Sequence, residues 1–191
     1  MESANRKAPG ARREAVLDAA EALVLDLGAA HLTMDAVAAR ASVSKGGLLH
    51  HFPTKSDLIS AMLERLLAAF RSDMDMIERL AGVELTDHLR AWIRLMRTTD
   101  EKLERVTAAL LSASANEPNL LAPFAQLMQD RVARYQAENK YFGQTLVILT
   151  ALDGYWLFGS LGLGFIRKSD TNAFFDALNA MVDQLEMRED Q

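Results

Sequence analysis

The residues best placed to do chemistry lie between Thr33 and Lys55, in the run TMDAVAARASVSKGGLLHHFPTK. Within it stand hydroxyls at Thr33 and Ser44, cations at Lys45 and Lys55, paired imidazoles at His50 and His51, and paired glycines at Gly46 and Gly47. Small and cationic side chains on one short helix suit contact with phosphates and base edges. A metal is a poor alternative, because neighbouring helical residues diverge by about 100° and two adjacent imidazoles cannot easily face one ion.

The elements that must position these residues follow from local signals. Thr33 suits an N-cap, with Asp35 in the first turn beside the positive helix end. Val37, Ala38 and Ala41 then share one face. Ser42-Val43-Ser44 breaks the helix, and Ser44 caps the next one. Leu48 and Phe52, four apart, anchor that helix inward. Pro53-Thr54 stops it, and Thr54 restarts a long helix with Asp57 three residues on as a capping-box variant. Two short helices across a tight turn, the second carrying small and cationic residues, form the helix-turn-helix plan for entering a major groove.

The wider run LTMDAVAARASVSKGGLLHHFPTKSDLI resembles the DNA-binding signature of the TetR family of repressors, over about Ala15 to Leu66. Its most specific part is Val43-Ser44-x-Gly46-x-Leu48 followed by His51-Phe52-x-x-Lys55. Two positions depart from the family pattern. Leu49 stands where the family usually has an aromatic that touches DNA, and Gly47 stands where a hydroxyl is frequent. The resemblance implies DNA contacts from Thr33, Ser44, Lys45, Gly46, Gly47, Leu49, His51 and Lys55. It also implies that the rest of the chain is a ligand-sensing and dimerising body.

Composition is compatible with this reading. The chain has 191 residues, half of them apolar, and no cysteine, so neither disulfides nor thiolate metal sites arise. The start, MESANRKAPGARRE, lacks the apolar core of a secretory signal, which suits a cytoplasmic protein. The net charge of −5 argues against a nucleic-acid partner, and its distribution only softens that objection. Residues 1–55 carry seven Lys/Arg against six Asp/Glu, whereas the remainder carries fourteen against twenty. The cations Arg6, Lys7, Arg12 and Arg13 cluster in an N-terminal arm, able to add phosphate or minor-groove contacts or to act as a solubilising tail.

Periodicity predicts an all-α chain of about nine helices. The first spans about Ala11–Leu27 and ends at Gly28. The fourth runs from Thr54 to about Leu80. Ala81-Gly82-Val83 separates it from a fifth helix capped by Thr86, and Asp100 caps a sixth. The seventh begins near Leu121, because Pro123 suits a first turn, and continues toward Asn139. The eighth, Gly143–Ile166, is apolar almost all round. The ninth starts at Asp170 or Thr171. The expected division is a helix-turn-helix domain with its arm over residues 1–53 and a helical ligand-binding and dimerisation domain over 54–191.

Each candidate role has a plainer competitor. Gly46 and Gly47 together weaken a short helix by about 1 kcal/mol each against Ala. The gain is close approach either to DNA or to a neighbouring helix. Lys55 opposes the helix dipole unless a phosphate docks there. Met62, Phe70, Trp92, Met96, Phe124, Met128 and Tyr155 are soft or bulky enough to line a pocket for a small apolar effector, although such residues at helical spacing also build cores. Asp153, inside the apolar eighth helix, needs a partner if buried. A ligand amine or hydroxyl, an Arg across a dimer interface, or solvent all qualify. Gly159 and Gly162 with Phe174, Leu178, Met181 and Leu185 make the eighth and ninth helices the expected homodimer interface.

Gly143–Ile166 is long enough to cross a membrane, but Asp153 at its middle argues against that. No HExxH, P-loop or nucleophilic cysteine points to an enzyme. The reading that fits best is a dimeric, ligand-responsive repressor on a palindromic operator, without cofactor or metal. The alternative is a helical small-molecule-binding or assembly protein that no longer binds DNA.

Overall fold

The computed structural model describes residues 9–80, 84–98, 101–114, 117–136 and 140–189. Among the described residues the regular elements are all helices: α1 (Pro9–Leu27), α2 (Met34–Arg40), α3 (Lys45–His51), α4 (Lys55–Leu80), α5 (Leu85–Arg97), α6 (Glu101–Ala113), α7 (Ala122–Gln136), α8 (Phe142–Ser160) and α9 (Thr171–Glu189). Single 3₁₀ turns lie at Ala29–His31 and Pro118–Leu121. Arg6 and Lys7, the break at Ala81-Gly82-Val83, the expected cap Asp100, and Asn139 lie outside the described residues.

The chain forms two compact units. The first holds residues up to Leu66 together with Val106–Leu121, and the second holds Leu67–Arg105 and Ala122–Gln191. The unit containing the helix-turn-helix therefore also includes the opening turns of α4 and most of α6.

Within the first unit, Val16, Leu17, Ala20, Leu23 and Val24 of α1 form the stripe predicted from its 3.6-residue period. They pack with Val37, Leu48, Phe52, Leu58, Ile59 and Met62. Arg65 on α4 reaches three acidic side chains of α1: Asp18 at 2.7 Å, Glu21 at 3.3 Å and Glu14 at 3.9 Å. Ser56 Oγ donates to Glu117, fixing the segment before α7 to the start of α4.

Within the second unit, α5 packs on α8 and α9, and α8 also touches α7. Its core is built by Leu89, Trp92, Ile93, Ile148, Leu149, Leu152, Phe175, Val182 and Leu185. Arg90 joins α5 to α9 through Glu186 at 2.7 Å and Asp183 at 2.8 Å. These hydrogen bonds, to Glu186 first and then Asp183, raise the already high pKa of Arg90.

Two expected boundaries move. Helix α5 is N-capped by Glu84 rather than Thr86, which sits buried in its first turn. Helix α8 ends at Ser160, not Ile166. Gly162 has φ +68°, its N–H donates to Gly159 O at 3.0 Å, and Leu163 N donates to Phe158 O at 2.8 Å. This is a Schellman terminator, and the left-handed residue in it favours glycine. Gly162 thus ends the helix instead of lying within it. No helix among the described residues is long and apolar enough to cross a bilayer.

Candidate nucleic-acid interface and effector cavity

The candidate recognition surface is built by two caps and one tight turn. Thr33 Oγ1 accepts from Ala36 N at 3.2 Å, and Ser44 Oγ accepts from Gly47 N at 3.1 Å. Between them Ser42 adopts φ +55°, and Val43 N donates back to Ala38 O at 3.0 Å. The left-handed Ser42 reverses the chain within a few residues, so α3 begins directly after α2. Each capping hydroxyl uses its oxygen as acceptor and keeps its O–H free to donate outward.

Burial then sorts the faces of α3. Leu48 and Phe52 are buried, as their spacing predicts. Lys45, Gly46, Gly47, Leu49 and His50 are exposed on the opposite side. A Cβ added to Gly46 would meet nothing within 4 Å. Among the described residues no neighbouring helix requires that glycine, and its outer side is open. Gly47 differs, since its Cβ would stand 3.2 Å from Ser44 Oγ, so enlarging it disturbs the cap.

The cations of this face are not equivalent. Lys45 Nζ lies 2.9 Å from Asp35, linking the start of α3 to the start of α2. Lys55 is exposed in the first turn of α4 and has no acidic partner among the described residues. Thr54 and Asp57 cap that helix reciprocally, with Thr54 N donating to Asp57 at 2.9 Å and Asp57 N to Thr54 Oγ1 at 3.1 Å. Arg12 lines an open cleft with Ser42, Ser44, Gly47, His50 and His51. Half-buried His51 also places its ring against Phe52. Arg13 turns inward, its guanidinium 5.4 Å over the Phe52 ring.

The second unit contains an apolar cavity of about 110 Å³, lined by Phe70, Met96, Phe124, Met128, Asp153, Trp156 and Leu157. Five of the residues predicted for an effector site thus meet around one space. Trp92 lies behind this wall, with its ring 5.4 Å from Phe70 and its indole N–H donating to Tyr135 Oη at 3.1 Å. Burial raises the Tyr135 pKa, which keeps the phenol protonated. Tyr155 stacks on Phe174 and borders a separate cleft with Glu104 and Phe165. Met62 does not belong to the cavity. It is buried in the core of the first unit, because the stripe of α4 serves that core up to Leu66.

Asp153 finds its partner in its own chain. Arg131 of α7 donates to Asp153 Oδ2, so no Arg from another copy is needed. Arg131 is only 3% exposed, its guanidinium lies 5.4 Å over the Trp92 ring, and its Nε has no hydrogen-bond partner among the described residues. Sequence reasoning passed over Arg131, although a signal was present: with Leu127 and Tyr135 it continues the i, i+4, i+8 inward face of α7.

The residues expected at a dimer interface separate by burial. Leu178 and Leu185 belong to the core of their own unit, Phe174 and Met181 are half-buried, and Gly159 is exposed. The exposed large apolar residues described on α8, in the segment after it and on α9 are Val147, Leu157, Phe158, Leu161, Leu163, Phe165 and Met187.

A capped helix-turn-helix with an open outer face, in a chain whose remainder is a helical body with an apolar cavity, defines a DNA-binding regulator. Residues 16–62 match bacterial regulatory proteins of the tetR family, and residues 86–183 match the tetracyclin repressor-like C-terminal domain. The chain belongs to the TetR family of DNA-binding transcriptional regulators, which is non-enzymatic. It is 27% identical over 190 residues to the HTH-type transcriptional regulator BetI of Paraburkholderia phytofirmans, covering 90% of this chain and 92% of that one. BetI of Stenotrophomonas maltophilia is 25% identical, over 78% of this chain and 82% of its own. Among solved structures, a transcriptional regulator from Streptomyces coelicolor A3(2) shares the fold with a TM-score of 0.69 at 17% identity, covering 90% of this chain and 98% of that one. The multidrug binding protein EbrR, solved with imidazole, shares it with a TM-score of 0.65 at 23% identity, over 90% of this chain and 89% of its own.

Proposed function

We propose that this protein is a ligand-responsive, cytoplasmic repressor that binds a palindromic operator as a homodimer. The observation that carries this reading is the outer face of α3, where Lys45 and Gly46 stand exposed and a side chain added at the glycine would meet nothing within 4 Å among the described residues. Residues 1–53 act as the DNA-reading part. Ser44, Thr33 and Lys55 fix the register on phosphates, and Lys45 with the glycine backbone approaches base edges. Leu49, in place of a polar or aromatic side chain, offers an apolar contact of the kind a thymine methyl accepts.

Residues 54–191 sense and dimerise. The support for dimerisation is the cluster of exposed apolar residues on and after α8, which water alone would leave uncovered. The support for sensing is the cavity at Asp153. EbrR, a structural neighbour, is described as a multidrug binding protein and was also solved with ethidium and with malachite green. An effector in the cavity would favour one of two body geometries and so change the population able to seat both heads on the operator.

The test is a salt-titrated affinity measurement on duplex DNA carrying the operator. Wild-type affinity should fall linearly on a log–log plot against salt, and Lys55→Ala should reduce that slope by about one. An unchanged slope removes Lys55 from the phosphate contacts. No binding at low salt would favour a helical binding protein that has lost its DNA partner.

A further inference from the structure

Asp153 is the acidic group on the cavity wall, and on its own it would select a cation. Arg131 changes that expectation. Its guanidinium engages Asp153 Oδ2, and Arg131 is only 3% exposed. The wall therefore presents an ion pair rather than a free negative charge. We infer that the cavity selects a small neutral molecule, with an apolar or aromatic body and one hydrogen-bond donor, over a cation of the same shape. This rests on the cavity being the effector site.

Three charge states can be compared at this site. An ammonium entering the cavity gains attraction from Asp153 but loses much of it to repulsion from Arg131 directly behind, and it must also be stripped of water. An anion meets Asp153 first, because Arg131 is not part of the lining. A neutral hydroxyl or amide needs little dehydration. It donates to the remaining carboxylate oxygen, Oδ1, in a charge-assisted bond. Its apolar body fills a space walled by Phe70, Met96, Phe124, Met128 and Trp156. The Arg131 Nε without a partner is consistent with a guanidinium held by Asp153 and the Trp92 face, with little freedom to turn away.

The experiment uses three near-isosteric probes on the full chain by titration calorimetry at neutral pH: benzyl alcohol, benzylammonium and toluene. Benzyl alcohol should bind at least about tenfold more tightly than either of the others, about 1.4 kcal/mol. Met128→Trp, which fills the cavity, should abolish the heat, placing the probe there. Arg131→Met, which frees the carboxylate, should reverse the order so that benzylammonium binds best. Because Asp153 keeps access to solvent, that variant can rehydrate its charge; a retained far-UV circular dichroism spectrum confirms that it folds. A wild-type preference for benzylammonium, or no reversal in folded Arg131→Met, overturns the inference while leaving the cavity as the effector site. Absence of binding by all three, or binding that survives Met128→Trp, overturns the effector reading and the inference with it.

Discussion

The two units place their polar chemistry in opposite ways. In the unit that carries the helix-turn-helix, the functional groups lie on the surface of an apolar core. Lys45 and Asp35 have side chains 58% and 73% exposed, and the triple ion pair of Arg65 lies at the rim. In the other unit the decisive groups are inside. Arg131 is the one charged side chain buried among the described residues, and Thr86, Thr145 and Ser160 are buried near the same helices. The difference suits the partner proposed for each unit. A duplex is large, charged and outside, so it is read by a firm platform with exposed donors. A small molecule is best recognised by polar groups set within a core and fixed by their neighbours, as Arg131 is by Asp153.

This contrast can be broken by truncation on each side. Phe52→Ala should have the largest effect, removing a buried ring of the recognition platform at about 3–5 kcal/mol. Urea melts followed by circular dichroism should show an early transition in that variant, with DNA binding lost. A midpoint shifted by less than half a molar would show that the platform does not depend on that anchor.

Asymmetry within the second unit comes next. Asp153→Ala strands a buried guanidinium and should cost about 3 kcal/mol, at the low end for a broken buried pair because Asp153 itself is half-exposed. Arg131→Met leaves a carboxylate that water reaches, and should cost clearly less. Equal losses in the two variants would mean that Arg131 is better hydrated than its burial indicates. The smallest effect is at the cap. Ser44→Ala should remove about 1 kcal/mol of helix support from α3. Thermal unfolding should shift by a few degrees, while ligand binding in the other unit stays unchanged.

These two modes also explain what the sequence made visible. The caps at Thr33, Ser44 and Thr54 were legible because each bond spans three residues and needs only local geometry. The inward pair Leu48 and Phe52 followed from one helical turn. The Asp153–Arg131 pair joins residues twenty-two apart on different helices, so only packing reveals it. Met62 was assigned to a pocket because the stripe of α4 is continuous, and periodicity cannot show where it passes from one unit to the other. The end of α8 was missed for a different reason. An apolar run has no contrasting face to lose its phase, and Gly162 was read as a packing residue when its left-handed φ marks the stop.

The contact between Lys45 and Asp35 has a consequence for how the protein responds to its surroundings. A duplex carries condensed cations and sheds them when a protein cation neutralises its charge, and this release is why such contacts fade as salt is added. Lys45 arrives with an anion that is covalently attached and cannot diffuse away. In the proposed complex that carboxylate stays close to the duplex and offsets part of the lysine's charge, so Lys45 would displace fewer of those cations. Lys55 has no such companion among the described residues. One side chain would then lend its whole charge to the salt sensitivity of binding, and the other only part of it.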